Sequence, residues 1–325
     1  MINSGINPTV TFIIPHRGRL DFLISTVNSI DSQDYNREQI NILILTQDDP
    51  EAVRNAITHC KVSIEVIKRD HSETISSMRN FGSTRTSASY LAFIDADIVL
   101  SPNWTATMVY ALNEESSRII VSAPQCTSEV PTLVEKIRTT VGNSLGGVNV
   151  ASLPGHNLFM KTESFKSAGG FPANLATCED YCFTVAMSQI GKLFIAPSCW
   201  YIHLGEDRSF SQLLKKEYWR AGSNIQSLRG RKIPLREYPS ILLPFWFLMC
   251  IATTITGLIK VSLSITSLGV LSYSLPIILY TFRITRRTAN LGWVYIFFFY
   301  ILYHSARSLG TITGMRFLFQ RKTDK

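Results

Sequence analysis

Two carboxylates, Asp95 and Asp97, close the apolar run of YLAFIDADIVLSPNW with only Ala96 between them. Residues two apart in a strand point to the same side. The spacing therefore predicts both side chains leaning together at the C-terminal end of a buried strand, where like charges need a positive partner. Hard oxygen ligands suit Mg²⁺ or Mn²⁺, which take one or two carboxylates and complete their shell with phosphate oxygens. The competing reading is that the pair caps the turn into SPNW, since Asp is common in turns. A second acidic pair, Glu179–Asp180, opens a predicted helix over Tyr181–Ile190. A carboxylate there either caps the helix or takes a proton from an acceptor as a general base. Asp180 is the candidate base and Glu179 its supporting neighbour.

These groups need a rim to sit on. Short apolar runs predict strands over Thr9–Ile14, Ile40–Thr46, Val62–Ile67, Tyr90–Asp95 and Arg118–Pro124. Helical spacing predicts helices over Leu20–Ile30 and Glu73–Ser87. Alternation of the two argues for a mostly parallel α/β sheet covered on both faces, whose ligands gather at the C-terminal strand ends. There the sequence places IIPHRGR, LTQDDPE and FIDAD, with MRNFG leading toward the fourth strand. The following part, from LPGHNLFM to GEDRSF, reads as mixed strand and helix covering the same rim.

Hydrophobic residues make up 46% of the 325, and the mean hydropathy is positive. Residues 1–225 carry 19 Lys+Arg against 22 Asp+Glu, whereas residues 226–325 carry 13 against 2. The basicity belongs to the tail, which removes the charge argument for a nucleic-acid partner. The tail also holds the uncharged runs Ile241–Ile259 and Val261–Phe282, each long enough to cross a hydrocarbon core about 30 Å thick. A third element, about 291–310, is interrupted by His304 and Arg307 and reads as interfacial, re-entrant or tilted. Arg229, Arg231, Lys232 and Arg236 precede the hairpin, and Arg283, Arg286 and Arg287 follow it, which places both ends and residues 1–225 on the cytoplasmic side. A basic, aromatic-bearing helix from Ser209 to Arg229 would lie at the headgroups. In it Arg220 would reach either a diphosphate or lipid. The start, MINSGINPTV, lacks the charged and apolar regions of a cleavable signal. Six scattered cysteines form no CxxC pair and read as reduced thiols.

TFIIPHRGRLDFLISTVNSIDSQDY, SSMRNFGSTRTSASYLAFIDAD, NLFMKTESFKSAGGFP and CED stand in the order and spacing of the family 2 glycosyltransferases, and together the chain resembles that family over nearly all of residues 9–205. The hydrophobic tail resembles that of membrane-attached members making exopolysaccharide or lipid-linked glycans, with a multi-pass location in a bacterial inner membrane. The resemblance implies a GT-A fold, a Rossmann-like mixed sheet flanked by helices, over residues 1–225. An interfacial segment and membrane helices would fill residues 226–325. It implies inverting, metal-dependent transfer from a nucleotide-sugar donor to a lipid-linked or glycan acceptor. Pro15 and Arg17 would meet the nucleotide, Asp48 or Asp49 its base, and Arg79 and Asp95 the donor. Asp95 and Asp97 would bind the metal, with His203 either a third ligand or a hydrogen-bonded structural residue at a strand end, and Asp180 would be the base. The nucleotide loop reads TQDDPE where the family has an Asp-rich turn. Glu217-Tyr218-Trp219-Arg220 replaces the Gln-x-x-Arg-Trp of polymer-forming members, which favours addition of single sugars. Two rivals stay open: a nucleotidyltransferase, for which PHRGRLDF lacks a Gly-rich loop with a Lys, and a catalytically inactive membrane scaffold.

Overall fold

Val10–His16 (β1) is buried along its whole length, with successive side chains feeding opposite sides. Phe12 and Ile14 join one apolar layer and Ile13 another. That is the pattern of a strand with helices on both faces. In the computed structural model, residues 8–143, 146–175, 177–228, 233, 235–286 and 291–320 are described. After β1 come α1 (Leu20–Asp31), β2 (Ile40–Thr46), α2 (Pro50–Ala56), β3 (Ser63–Lys68), α3 (Ile75–Thr84) and β4 (Tyr90–Ile94). Next are β5 (Ile98–Leu100), α4 (Trp104–Glu114), β6 (Arg118–Ser122), β7 (Gln125–Cys126) and α5 (Leu133–Gly142). Then follow β8 (Val148–Val150), β9 (Asn157–Lys161), α6 (Thr162–Ser167), α7 (Glu179–Met187), β10 (Lys192–Ile195) and β11 (Tyr201–His203). The chain ends in α8 (Phe210–Ala221), α9 (Tyr238–Ile259), α10 (Leu263–Thr285) and α11 (Trp293–Gln320).

The chain divides into two compact units, one of residues 1–129 and 143–205, the other of 130–142 and 206–325. This partition differs from a cut at 225/226, because α5 and α8 group with the apolar helices. The first unit is an eight-stranded sheet of order β3-β2-β1-β4-β9-β6-β10-β8, with a three-stranded sheet β5-β11-β7. β3, β2, β1 and β4 are parallel, so their C-terminal ends share one edge. β9 enters antiparallel between β4 and β6, making the sheet mixed. The expected strands and the helix Leu20–Ile30 occur with ends shifted by a few residues. The strand ending in Asp95 stops at Ile94 instead.

The MRNFG stretch shows why a helix beside β4 uses these residues. On α3, a Cβ at Gly82 would stand 2.7 Å from Ile13 Cγ2, so glycine lets the helix lie against β1. Asn80 clamps the backbone of Phe171, donating to its carbonyl and accepting from its N–H, both at 2.8 Å. Arg79 is left for the site.

In the second unit Val134, Ile137, Leu213, Phe247, Ile277 and Phe299 form the apolar core. Among the described residues α9 and α10 are the two helices long and apolar enough to cross a membrane. The first begins three residues before the expected run and the second is displaced by two to three residues toward the C-terminus, giving helices of 22 and 23 residues. Leu242, Met249, Leu258, Leu271 and Leu279 face outward. α11 continues for 28 residues, well past the expected third element. Gly310 and Gly314 bring it against the backbone of Tyr218 and Gly222, where a Cβ at either glycine would collide with a carbonyl oxygen. Small residues four apart allow such close approach. Of the flanking basic residues, Arg229, Arg231, Lys232, Arg287, Arg321, Lys322 and Lys325 lie outside the described residues.

Candidate active site

β4 ends at Ile94, so the two-residue alternation no longer governs Asp95 and Asp97. Instead of leaning together on one ion, the two carboxylates turn to different partners. Asp95 takes Arg79 at 2.7 Å, and Asp97 takes Arg19 at 3.0 Å and His203 at 3.4 Å. The expected positive charge is present in two places. Neither carboxylate caps a helix, since the next one, α4, starts from Asn103.

His203 reaches Asp97 through the small sheet. β11 runs antiparallel to β5 with His203 opposite Ile98, the residue after Asp97. The intervening Gly205 is packed so closely on the Asp97 carboxylate that a Cβ would overlap it. Burial would raise the Asp97 pKa, yet His203 and Arg19 more than offset it and hold the carboxylate below its ordinary value. His203 stacks on His156, ring centroids 5.2 Å apart. His156 bonds the Tyr201 hydroxyl at 2.7 Å. Burial, with His203 alongside, pushes the His156 imidazole down to about 4, so it is neutral at pH 7.

The second acidic pair starts α7. Its cap is Cys178, held at a left-handed φ of 65° with no side-chain bond to the helix's own N–H groups, so Asp180 is not the cap. Asp180 Oδ2 accepts the Gly155 N–H at 2.8 Å and Oδ1 accepts the Tyr181 N–H at 2.7 Å. Glu179 pairs with Arg79 at 3.3 Å. Burial, and Asp180 next to it, push the Glu179 carboxyl up to about 7 against the pull of Arg79. Arg79, 2% exposed, thus bridges the two acidic pairs. His156, Gly155, Asp180, Glu179, Arg79 and Asp95 form a ring that closes where the Asp95 N–H donates to the His156 carbonyl at 3.3 Å, and His203, paired with Asp97, joins it by stacking on His156.

At the ends of β1 and β2 the other expected residues separate. Pro15 is buried within β1, opposite Leu45. Arg17 is exposed just beyond it. Asp48 accepts the Gly18 N–H and lies 3.7 Å from His16. Asp49 caps α2, accepting the Glu51 N–H at 3.1 Å. Arg220 lies in the second unit, 2.5 Å from Glu217 and 3.9 Å from Asp207. Glu217, 1% exposed, is also held by Arg138 and Arg307. Arg19, Gly155, His156 and Tyr201 were not legible as site residues. Arg19 adopts a left-handed φ of 43° at the start of α1, a conformation costly for a residue with a Cβ. No sequence pattern announces that.

The residues present fit a divalent ion in part. Asp97 Oδ2 and His203 Nε2, 3.4 Å apart, have nearly the spacing of cis ligands around Mg²⁺, about 3 Å. Among the described residues no group of three His, Cys, Asp or Glu is placed to hold an ion. An oxygen–nitrogen pair leaves most of the coordination shell for phosphate oxygens and water, which is how Mg²⁺ and Mn²⁺ bind nucleotides.

A family model described as Glycosyl transferase family 2 matches residues 11–169. Glycosyltransferase AglE of Haloferax volcanii is 24% identical over 251 residues, covering 74% of this chain and 81% of that protein. The solved mannosyltransferase PcManGT from Pyrobaculum calidifontis, in complex with GDP-Man and Mn²⁺, superposes with a TM-score of 0.66 at 16% identity. The match covers 94% of this chain and 88% of that one. The motif resemblance and the expected GT-A fold are borne out.

Proposed function

We propose that this chain, a glycosyltransferase of family 2 with a GT-A fold, moves one sugar with inversion from a nucleoside-diphosphate sugar to a hydroxyl of a lipid-linked acceptor at a membrane. The observation that carries the reading is the ring of contacts through His156, Gly155, Asp180, Glu179, Arg79 and Asp95, with His203 and Asp97 joined to it by stacking on His156. It supports reading Asp97 and His203 as the cation pair and Asp180 as the base of one frame.

Asp180 takes the proton from the acceptor hydroxyl as that oxygen attacks the anomeric carbon opposite the departing diphosphate. General-base help of this kind is worth roughly 10²- to 10⁴-fold. The Gly155 N–H fixes the orientation of the Asp180 carboxylate. Glu179, with a carboxyl pushed up to about 7, places less negative charge beside the base than a fully ionised neighbour would. Arg79 holds Asp95 and Glu179 in register and offers a buried positive charge to the donor. Asp97 and His203 would hold Mn²⁺ or Mg²⁺, which when bound supplies positive charge to the leaving diphosphate. Asp48, beside His16 and the Gly18 N–H, would meet the nucleoside, and Arg17 its phosphates. The apolar pair α9–α10 anchors the protein in the membrane with the first unit on the cytoplasmic side.

The test is nucleoside-diphosphate release by the membrane-embedded protein from a panel of nucleotide sugars, GDP-mannose first, with polyprenyl-phosphate-linked acceptors and with or without Mn²⁺ or Mg²⁺. Acceptor-dependent release from one donor, lost without the cation, is expected. Absence of release from every donor would favour an inactive scaffold.

A further inference from the structure

A cavity of about 250 Å³ lies inside the second unit. Ser240, Leu243 and Pro244 line it from the first turns of α9, and Tyr280, Arg283 and Ile284 from the last turns of α10. These helices run antiparallel, since Gly257 packs on Thr266 near the turn and Trp246 donates to the Ser272 carbonyl at 3.2 Å. The cavity is therefore at the end of the pair where the chain enters and leaves. Tyr303, His304 and Arg307 of α11 complete the wall.

Three features of that wall point to one kind of ligand. His304 is 8% exposed and lines the cavity, and its Nε2 has no hydrogen-bond partner among the described residues. An unmatched buried ring nitrogen is costly, so a ligand that pairs with it gains that back. Arg283 and Arg307 bring two cations to the same space. Arg307 is fixed by Glu217 at 3.0 Å and Asn224 at 3.2 Å, which presets its position. Leu243, Pro244 and Ile284 add apolar wall beside these polar groups. Outward-facing Leu242, Leu279 and Phe282 on the same turns place the cavity beside lipid. Arginines at the end of such a helix pair reach the headgroup level. An occupant must then be anionic at one end and apolar at the other.

We infer that this cavity binds the phosphate of a membrane lipid, with Arg283, Arg307 and His304 around the phosphate and the apolar wall against the first part of its chain. Arginine is suited to phosphate by its planar fork of donors. The inference rests on the membrane reading of α9–α10 and not on the transfer reaction.

The experiment uses the full chain in detergent micelles, with binding of farnesyl phosphate and of farnesol read by native mass spectrometry. Wild-type protein is expected to retain farnesyl phosphate at least about ten-fold more strongly than farnesol. Arg283→Gln should erase that preference and Arg283→Lys should keep part of it. Binding of a nucleoside diphosphate should be the same in all three proteins, which separates this site from the transfer site. A competition between farnesyl phosphate and phosphatidylglycerol identifies the source: displacement of phosphatidylglycerol assigns the site to an isoprenoid phosphate, and its retention to a bilayer phospholipid. Equal retention of farnesol and farnesyl phosphate by wild type would overturn the inference, whatever the variants do. So would an unchanged preference in a folded Arg283→Gln protein.

Discussion

Asp180 and Glu179 sit side by side at the start of α7 and are asked to do different things. Asp180→Asn should lower transfer by roughly 10²- to 10⁴-fold while nucleotide binding, measured by calorimetry, is retained. Loss of nucleotide binding along with activity would assign Asp180 to the donor instead. Glu179 gives a prediction in pH. Its carboxyl rises from an ordinary 4.5 to about 7 on folding, chiefly by burial and by Asp180. The folded chain therefore binds more protons than the unfolded chain between those values, and its stability falls as pH rises through that window. Glu179→Gln removes this loss, so the melting-temperature difference between variant and wild type should shift in the variant's favour from pH 5 to pH 8. A constant difference would contradict it. Both acidic pairs were legible from residue type and spacing. What each side chain touches was not, because Asp95 and Asp97 lie beyond the last strand residue, where side-chain direction depends on partners far away in sequence.

Elements supply those partners. Arg79 arrives on α3, His203 on β11 and Gly155 on the loop before β9, so the site needs all three at once. A Cβ at Gly155 would stand 2.7 Å from Asp180 Cβ and 2.9 Å from Arg79 Nη1. Both neighbours are hemmed in, so Gly155→Ala should reduce turnover more than it changes nucleotide affinity, read as a fall in kcat with little change in KM for the donor. In the second unit Gly310→Leu should separate α11 from α8, with a lower melting temperature for the detergent-solubilised protein; an unchanged value would show the two helices do not depend on that contact. The strands β1 to β4 and the helices between them were readable because their apolar periods are clean. The antiparallel entry of β9 was not, since NLFMK reads the same in either direction. Nor was the three-stranded sheet, whose strands are two or three residues long.

At the scale of the molecule, a GT-A fold and a pair of apolar helices share one chain. The apolar runs were legible to within a few residues, because each is a long stretch without a charged residue. Assignment of α5 and α8 to the unit of the apolar helices was not, because it follows from packing of Val134, Ile137 and Leu213 in one cluster with Phe247, Ile277 and Phe299, residues far apart in sequence. In the proposed reaction Asp97 and His203 share a divalent ion with the diphosphate of a sugar nucleotide. Mn²⁺ electron paramagnetic resonance of the full-length protein with and without a nucleoside diphosphate tests this. Bound Mn²⁺ is expected, with an affinity that rises with the nucleotide and falls in both Asp97→Asn and His203→Ala. Mn²⁺ binding that neither substitution weakens would contradict it.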